Sequence, residues 1–218
     1  MVGESKEIVS AGRKCIVNND PDLKVYANYF KGDCVAIFPT DTVIGLGCRF
    51  DSVEGIAKIR KIKGIVDRNP LAVLISSESQ LELLQVRRSR LANQLMKEFW
   101  PGPLTLVLTA EVSFPCSGEA NTLGLRMPDA DLLRKIIDLV GAPLATTSAN
   151  PHGRLAPARL EDVSGALRAM VDYEIDYELS PIGLPSTVVR IEGGTYKILR
   201  EGAITHDEIF KVVGEKRD

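Results

Sequence analysis

The chain has 218 residues, of which 44% are hydrophobic and 26% charged, so it is long and apolar enough for a packed core and is not disordered. Its formal net charge of −2 argues against a protein that mainly coats nucleic acid, because such domains are usually basic. It has no apolar run of about 18 residues, so no membrane span is expected.

Short apolar runs alternate with amphipathic segments, which predicts an α/β fold on a mixed sheet. We expect one domain over residues 1–218, with its core motifs at about 20–204. In chain order, the predicted elements are a helix opened by Pro21, a strand at 34–38, a helix through Lys61, a strand at 71–75, a helix from Ser77, a helix at about 90–100, strands at 104–108 and 123–127, a helix at Asp131–Val140, a strand at 143–147, a helix at roughly 159–171, the strands STVVRI and YKILR, and a last helix.

Capping signals mark three of these helices. Asp51 with Glu54, Ser77 with Gln80, and Thr205 with Glu208 have the spacing of a capping box. The four cysteines are scattered without a CxxC pair, and the first residues lack an apolar leader segment, so free thiols and a cytoplasmic location are expected. His152 and His206 are too far apart for a usual zinc site.

Polar residues follow several predicted strands. FPTDTVIGLGC (38–48) runs from an apolar strand into Thr40 and Thr42 and then into two glycines, and SAN follows PLATT. Arg126 and Arg200 each end a strand. Ligands of open α/β sheets bind at strand ends, so converging ends would form a pocket for a ligand with phosphate and amino-acid character. Alternatively, the threonines satisfy turn backbone groups, Ser148 and Asn150 cap a loop, and the arginines are surface cations.

Seven motifs occur together in one order: FPTDTVIGLGC, KIKGIVDRNPLAVLI, FWPGPLTLVL, LGLRMP, ATTSAN, LPSTVV and LREG. Because of these seven motifs, the chain resembles the YrdC-like domain family over nearly its whole length. The resemblance implies a single domain with a twisted mixed β-sheet flanked by helices and a large concave cavity. It also implies threonylcarbamoyl-AMP synthase activity, in which L-threonine, bicarbonate and ATP give threonylcarbamoyl-AMP and pyrophosphate for tRNA modification.

The resemblance also implies roles for particular residues. Catalytic roles fall to Lys63, Ser148 and Asn150, and the nucleotide is expected at Lys63, Thr105, Ser148 and Arg200. The residues expected to contact L-threonine are Thr40, Arg126, Thr147 and Ser186. Mg²⁺ is expected to arrive with ATP, because no acidic cluster suggests a metal site built by the protein. A threonylcarbamoyl transferase is the implied partner, and tRNA or double-stranded RNA is a further candidate.

The chain departs from the family pattern at the K-x-R motif, where Ile65 replaces the arginine. Arg68 or Arg60 is a candidate replacement cation. Two other functions stay open: an RNA-binding module, supported by basic residues around Arg60 and Arg87, and a sister-branch YrdC-like protein that binds nucleotide without this activity.

Overall fold

The computed structural model describes residues 7–10, 13–17, 23–64 and 70–214. Within these residues, eleven strands form one mixed sheet in the order β1-β2-β9-β3-β4-β8-β5-β7-β6-β10-β11. The strands are β1 (Glu7–Ser10), β2 (Arg13–Val17), β3 (Ala36–Pro39), β4 (Ile44–Arg49), β5 (Ala72–Leu74), β6 (Leu104–Thr109), β7 (Thr122–Arg126), β8 (Leu144–Ser148), β9 (Tyr173–Asp176), β10 (Thr187–Glu192) and β11 (Thr195–Arg200). The predicted α/β class with a mixed sheet is confirmed.

Helices pack on the sheet and on each other. They are α1 (Leu23–Tyr29), α2 (Val53–Lys63), α3 (Gln80–Leu83), α4 (Arg90–Phe99), α5 (Asp131–Val140), α6 (Gly165–Arg168) and α7 (His206–Val213). Helix α1 packs against α5, α4 against α7, and α2 against β4. Each long helix buries an apolar face, as the 3.6-residue period predicts. Among the described helices, none has the length and apolar character needed to cross a bilayer.

Five neighbouring strands bring small side chains into one row across the sheet. In register, Thr146 of β8 pairs with Ala72 of β5, Ala72 with Gly124 of β7, Gly124 with Val107 of β6, and Val107 with Arg190 of β10. Ala72 and Gly124 lie in the middle of the row and have almost no side chain. The centre of this face is therefore a depression, which the taller neighbouring residues surround.

Two motif glycines are required by close approaches of backbone. A Cβ on Gly47 would lie 2.8 Å from Thr146 Cγ2 and 3.0 Å from the Ala145 carbonyl oxygen. A Cβ on Gly202 would lie only 2.1 Å from the Pro185 carbonyl oxygen. Gly47 lets β4 approach β8, and Gly202 lets the segment after β11 cross the start of β10.

Several sequence predictions need correction. Ser52, and not Asp51, caps α2: its Oγ accepts a hydrogen bond from the Gly55 amide at 2.8 Å, whereas Asp51 pairs with Arg49. The helix predicted at roughly 159–171 is a single 3₁₀ turn, Leu160–Asp162, followed by the short α6. Ser164 has extended backbone angles and begins α6 as a new N-cap, so the two turns cannot form one helix.

Four strands, β1, β2, β4 and β9, are absent from the sequence prediction. Two glycines in β4 obscure its β pattern, and β9 contains the charged residue Glu174, which is buried against Arg168. The Thr205–Glu208 capping box of α7 is confirmed. The helix start predicted at Ser77 is wrong, because α3 begins at Gln80 after Ser79 and has no side-chain cap.

Candidate functional site

A cavity of about 540 Å³ lies over the depression in the sheet. Its volume falls within the range of about 300–1,000 Å³ that is typical of small-molecule sites. The predicted site residues among those lining it are Thr40, Thr105, Arg126, Thr147, Ser148, Ser186 and Arg200. Residues more than 150 positions apart in the chain therefore face one space, as the sequence analysis expected.

The turn between β3 and β4 supplies two threonines to the cavity. Thr40 Oγ1 donates to the Val43 carbonyl oxygen at 2.7 Å and accepts from the amides of Thr42 and Val43, each at 3.3 Å. Because the hydrogen of Thr40 is already donated, the hydroxyl of Thr42 donates to Thr40 Oγ1, at 3.0 Å. Thr40 thus satisfies turn backbone groups, as the alternative interpretation expected, and both threonines also line the cavity.

Arg126 enters the cavity from the end of β7 and is held by three groups. Its Nε donates to the Gly102 carbonyl oxygen at 3.1 Å, its Nη1 donates to Thr42 Oγ1 at 2.8 Å, and its Nη2 donates to Asp41 Oδ1. Arg126 and Asp41 are each 6% exposed, so the ion pair is buried. Desolvation lowers the pKa of Arg126, and the charge and hydrogen bond of Asp41 oppose this shift.

A second hydroxyl and guanidinium cluster lies at the start of β10. Thr105 Oγ1 and Ser186 Oγ are 2.8 Å apart, and Nη2 of Arg200 donates to the Ser186 carbonyl oxygen at 2.9 Å and to Ser186 Oγ at 3.2 Å. Desolvation and then repulsion from Arg126 lower the pKa of Arg200. Trp100 Nε1 donates to the Leu104 carbonyl oxygen at 2.7 Å, which fixes the chain just before Thr105.

Lys63 and Asn150 lie directly behind Ser148 at the end of α2. Nζ of Lys63 donates to the Ser148 carbonyl oxygen at 2.8 Å and to Asn150 Oδ1 at 3.0 Å. Asn150 Oδ1 also accepts from Ser148 Oγ, and its Nδ2 donates to the Arg154 carbonyl oxygen. Desolvation lowers the pKa of Lys63 to about 8. The structure thus brings Lys63, Ser148 and Asn150 into one hydrogen-bonded cluster.

The charge of the cavity favours an anionic ligand. Among its lining residues that the structure describes, Arg126, Arg190 and Arg200 are cationic, and Glu119 is the one acidic residue. No group of three or more histidine, cysteine or acidic side chains suited to a metal ion occurs in the described part of the chain.

Of the two candidate replacement cations, Arg60 and Arg68, only Arg60 lies among the described residues. Nη2 of Arg60 donates to the Pro115 carbonyl oxygen at 3.2 Å, and Arg60 is not among the cavity-lining residues. Arg68 falls in 65–69, outside the described residues, so its candidacy stays a prediction. Of the basic residues that favoured an RNA-binding module, Arg87 pairs with Glu111 and Arg88 pairs with Glu78.

Sequence reasoning did not select three residues of the site. Thr42 and Arg190 line the cavity, and Asp41 holds Arg126 from behind it. Arg190 lies four residues after Ser186, on the same face of β10, so the period of two could have identified it. Nothing local in the sequence connects Asp41 with Arg126, which is 85 residues away.

Comparisons with known proteins agree with this geometry. The model of the Sua5/YciO/YrdC family, described as telomere recombination, matches residues 28–202. Threonylcarbamoyl-AMP synthase of Bacillus subtilis is 36% identical over 205 residues, which are 90% of this chain and 58% of the relative. The crystal structure of Pyrococcus abyssi Sua5 complexed with L-threonine has a TM-score of 0.82 at 34% identity, covering 89% of this chain and 58% of that one.

Escherichia coli YciO has the same fold with lower sequence similarity. Its structure superposes with a TM-score of 0.74 at 24% identity, over 86% of this chain and 92% of YciO. The chain therefore spans a little under three-fifths of the Bacillus subtilis synthase and of Pyrococcus abyssi Sua5, and nearly all of YciO.

Proposed function

Because the chain belongs to the Sua5/YciO/YrdC family, we propose that it is a nucleotidyltransferase that makes L-threonylcarbamoyladenylate from L-threonine, bicarbonate and ATP. The observation that carries the proposal is the convergence of Arg126, Arg200 and several hydroxyl groups on one cavity. Arginine binds carboxylate and phosphate oxygens through paired N–H donors, so these residues suit an amino acid beside a triphosphate.

The proposed reaction has two bond-forming steps. The unprotonated amine of threonine attacks the carbon of bicarbonate, forming the N–C bond of a carbamate with loss of water. A carbamate oxygen then attacks the α-phosphorus of ATP, the bond from that phosphorus to the bridging oxygen breaks, and pyrophosphate leaves with the electron pair. The protein needs no covalent intermediate, so positioning and electrostatic stabilisation supply the rate.

Each cluster of the site has a role in this proposal. Arg126 binds the threonine carboxylate, with Thr40, Thr147 and Ser186 around the amino acid. Lys63 and Arg200 offset negative charge on the phosphates, and Thr105 lies beside the nucleotide. Ser148 and Asn150 hold Lys63 at the reacting groups through the hydrogen bonds described above.

We also propose that Mg²⁺ enters as part of the ATP complex. When bound, the ion would neutralise phosphate charge and orient the leaving pyrophosphate. Glu119 is the single carboxylate among the described cavity-lining residues, so phosphate oxygens and water would supply most of the ligands of the ion. The product would pass to a threonylcarbamoyl transferase that modifies tRNA.

A pyrophosphate-release assay tests the proposal directly. With ATP and Mg²⁺ present, release should depend on both L-threonine and bicarbonate, and replacing L-threonine by L-alanine should reduce it strongly. Release that is the same without threonine contradicts the proposal. Binding of ATP without any release, under all substrate combinations, would identify the chain instead as a sister-branch protein.

A further inference from the structure

Asp41 has the unusual position of a buried carboxylate directly behind the cavity. It belongs to the turn between β3 and β4, is 6% exposed and is not itself among the cavity-lining residues. Oδ1 accepts from Nη2 of Arg126, while Oδ2 is buried without a hydrogen-bond partner among the described residues. Its backbone carbonyl accepts from the amide of Ile182 at 2.8 Å, so the position of its main chain is also fixed.

The contacts of Arg126 leave a defined pair of free donors. A guanidinium carries five N–H groups, one on Nε and two on each terminal nitrogen. Gly102 takes the Nε hydrogen, Thr42 takes one from Nη1, and Asp41 takes one from Nη2. With respect to the described residues, one N–H therefore remains on each terminal nitrogen, which is the number that a bidentate contact with a carboxylate requires.

We propose that Asp41, together with Thr42, is the positioning residue of the amino-acid carboxylate subsite, because it fixes the guanidinium of Arg126 with one free N–H on each terminal nitrogen. This inference rests on the proposed function and assigns to Asp41 a role in threonine affinity. A buried arginine needs an anion to keep its charge in place, and a fixed guanidinium binds a carboxylate without a further loss of side-chain freedom.

A purely structural role would have different consequences. A buried ion pair that only supports the fold affects stability, and its loss should alter the binding of every ligand equally or not at all. A positioning role predicts a selective loss, confined to ligands that carry the carboxylate. Glu174 offers a matched control, since it is also a buried carboxylate paired with an arginine, Arg168, and it is not among the cavity-lining residues.

The experiment compares wild type, Asp41→Asn and Glu174→Gln by calorimetric titration with L-threonine and with L-threonine amide, which lacks the carboxylate charge. Asparagine keeps the shape of Asp41 and a neutral acceptor for Nη2, so the fold should persist. Asp41→Asn should weaken L-threonine binding about 10-fold or more, the usual effect of losing a charge-assisted hydrogen bond. Binding of the amide and the KM for ATP should stay within about twofold, and Glu174→Gln should bind both ligands as wild type does.

Three outcomes overturn the inference: unchanged affinity of Asp41→Asn for L-threonine, an equal loss for both ligands, or a tighter binding of L-threonine. The last would mean that Asp41 competes with the substrate for Arg126. If Asp41→Asn does not fold, Thr42→Val takes its place, because it removes the acceptor of Nη1 from the same guanidinium, and the same selective loss is required. Wild type that binds no L-threonine with or without ATP contradicts the proposed function itself, which separates the two failures.

Discussion

The two buried cations of the site, Arg126 and Lys63, are held in different ways. Arg126 faces the carboxylate of Asp41, and each of its three nitrogens has a protein partner. Lys63 has two oxygen acceptors, both uncharged, and burial lowers its pKa to about 8. The charge of Arg126 is therefore compensated within the protein, whereas among the described residues no carboxylate hydrogen-bonds to the ammonium group of Lys63.

Under the proposed function, this difference gives the two cations different roles: Arg126 lines the cavity, whereas Lys63 lies behind Ser148 and is not among the lining residues. A compensated, immobile guanidinium suits recognition of one fixed carboxylate, because its geometry is set before the ligand arrives. A buried ammonium whose acceptors among the described residues are all uncharged gains most when a dense negative charge such as a phosphate comes close. Substitutions at Arg126 and Lys63 should therefore have different effects.

The largest effect on stability is expected from Arg126→Ala. This change leaves the carboxylate of Asp41 buried without its cation, so the free energy of unfolding should fall by about 3–5 kcal/mol in urea denaturation. Threonine-dependent pyrophosphate release should also disappear. The double variant Arg126→Ala with Asp41→Asn should recover part of the stability and none of the activity. If the single variant were as stable as wild type, the buried pair would not hold this end of the cavity.

Lys63→Met should lower turnover strongly but change stability little. If Lys63 offsets phosphate charge as proposed, its removal should lower the turnover number about 100- to 1,000-fold. Stability should change by no more than about 1 kcal/mol, because the relief from burying an unpaired charge offsets the lost hydrogen bonds. Lys61→Met is the matched control, since Lys61 is exposed on the same helix, and it should keep normal turnover. A large loss of stability with normal turnover would make Lys63 a structural residue.

The pKa of Lys63 predicts how ATP affinity depends on pH. Bound phosphates favour the charged amine and raise its pKa above the value of about 8 in the free protein. ATP binding then takes up protons above pH 8, so its affinity should fall as the pH rises from about 7.5 to 9.5. Calorimetric titration across this range measures the decline, and Lys63→Arg should remove it, because arginine stays protonated. A wild-type affinity that is constant over this range contradicts the assignment of Lys63 to the phosphates.

The sequence supplied most of the site because its motifs lie where strands end. Arg126, Ser148 and Arg200 each end a strand, and the sheet brings those ends to one cavity, whereas Thr105, at the start of β6, was expected from the family resemblance alone. The sequence does not show which distant segments contact each other. The contact of Asp41 with Arg126 depends on where β3, β4 and β7 lie in the sheet, and no local pattern encodes that order.

The prediction of one helix at roughly 159–171 was wrong for a related reason. Periodicity alone cannot show that Ser164 leaves helical backbone angles, because a serine can cap a new helix as well as continue an existing one. The capping of α2 is similar: Asp51 and Ser52 are both good caps, and only the structure shows that the hydroxyl of Ser52 reaches the Gly55 amide.

The smallest predicted effects concern the N-terminus of α2. They test whether Lys63→Met lowers turnover because a charge is lost or because the helix is destabilised. Ser52 Oγ accepts from the Gly55 amide at 2.8 Å and donates to Asp33 Oδ1 at 2.6 Å, at the opposite end of α2 from Lys63. Ser52→Ala should therefore lower the free energy of unfolding by about 1 kcal/mol and leave turnover unchanged. Asp51→Ala, which removes only an exposed ion pair with Arg49, should cost less than about 0.5 kcal/mol. If Ser52→Ala lowered turnover as far as Lys63→Met does, the loss of turnover in the lysine variant would come from a destabilised helix and not from the missing charge. The predicted difference between Arg126 and Lys63 would then be contradicted.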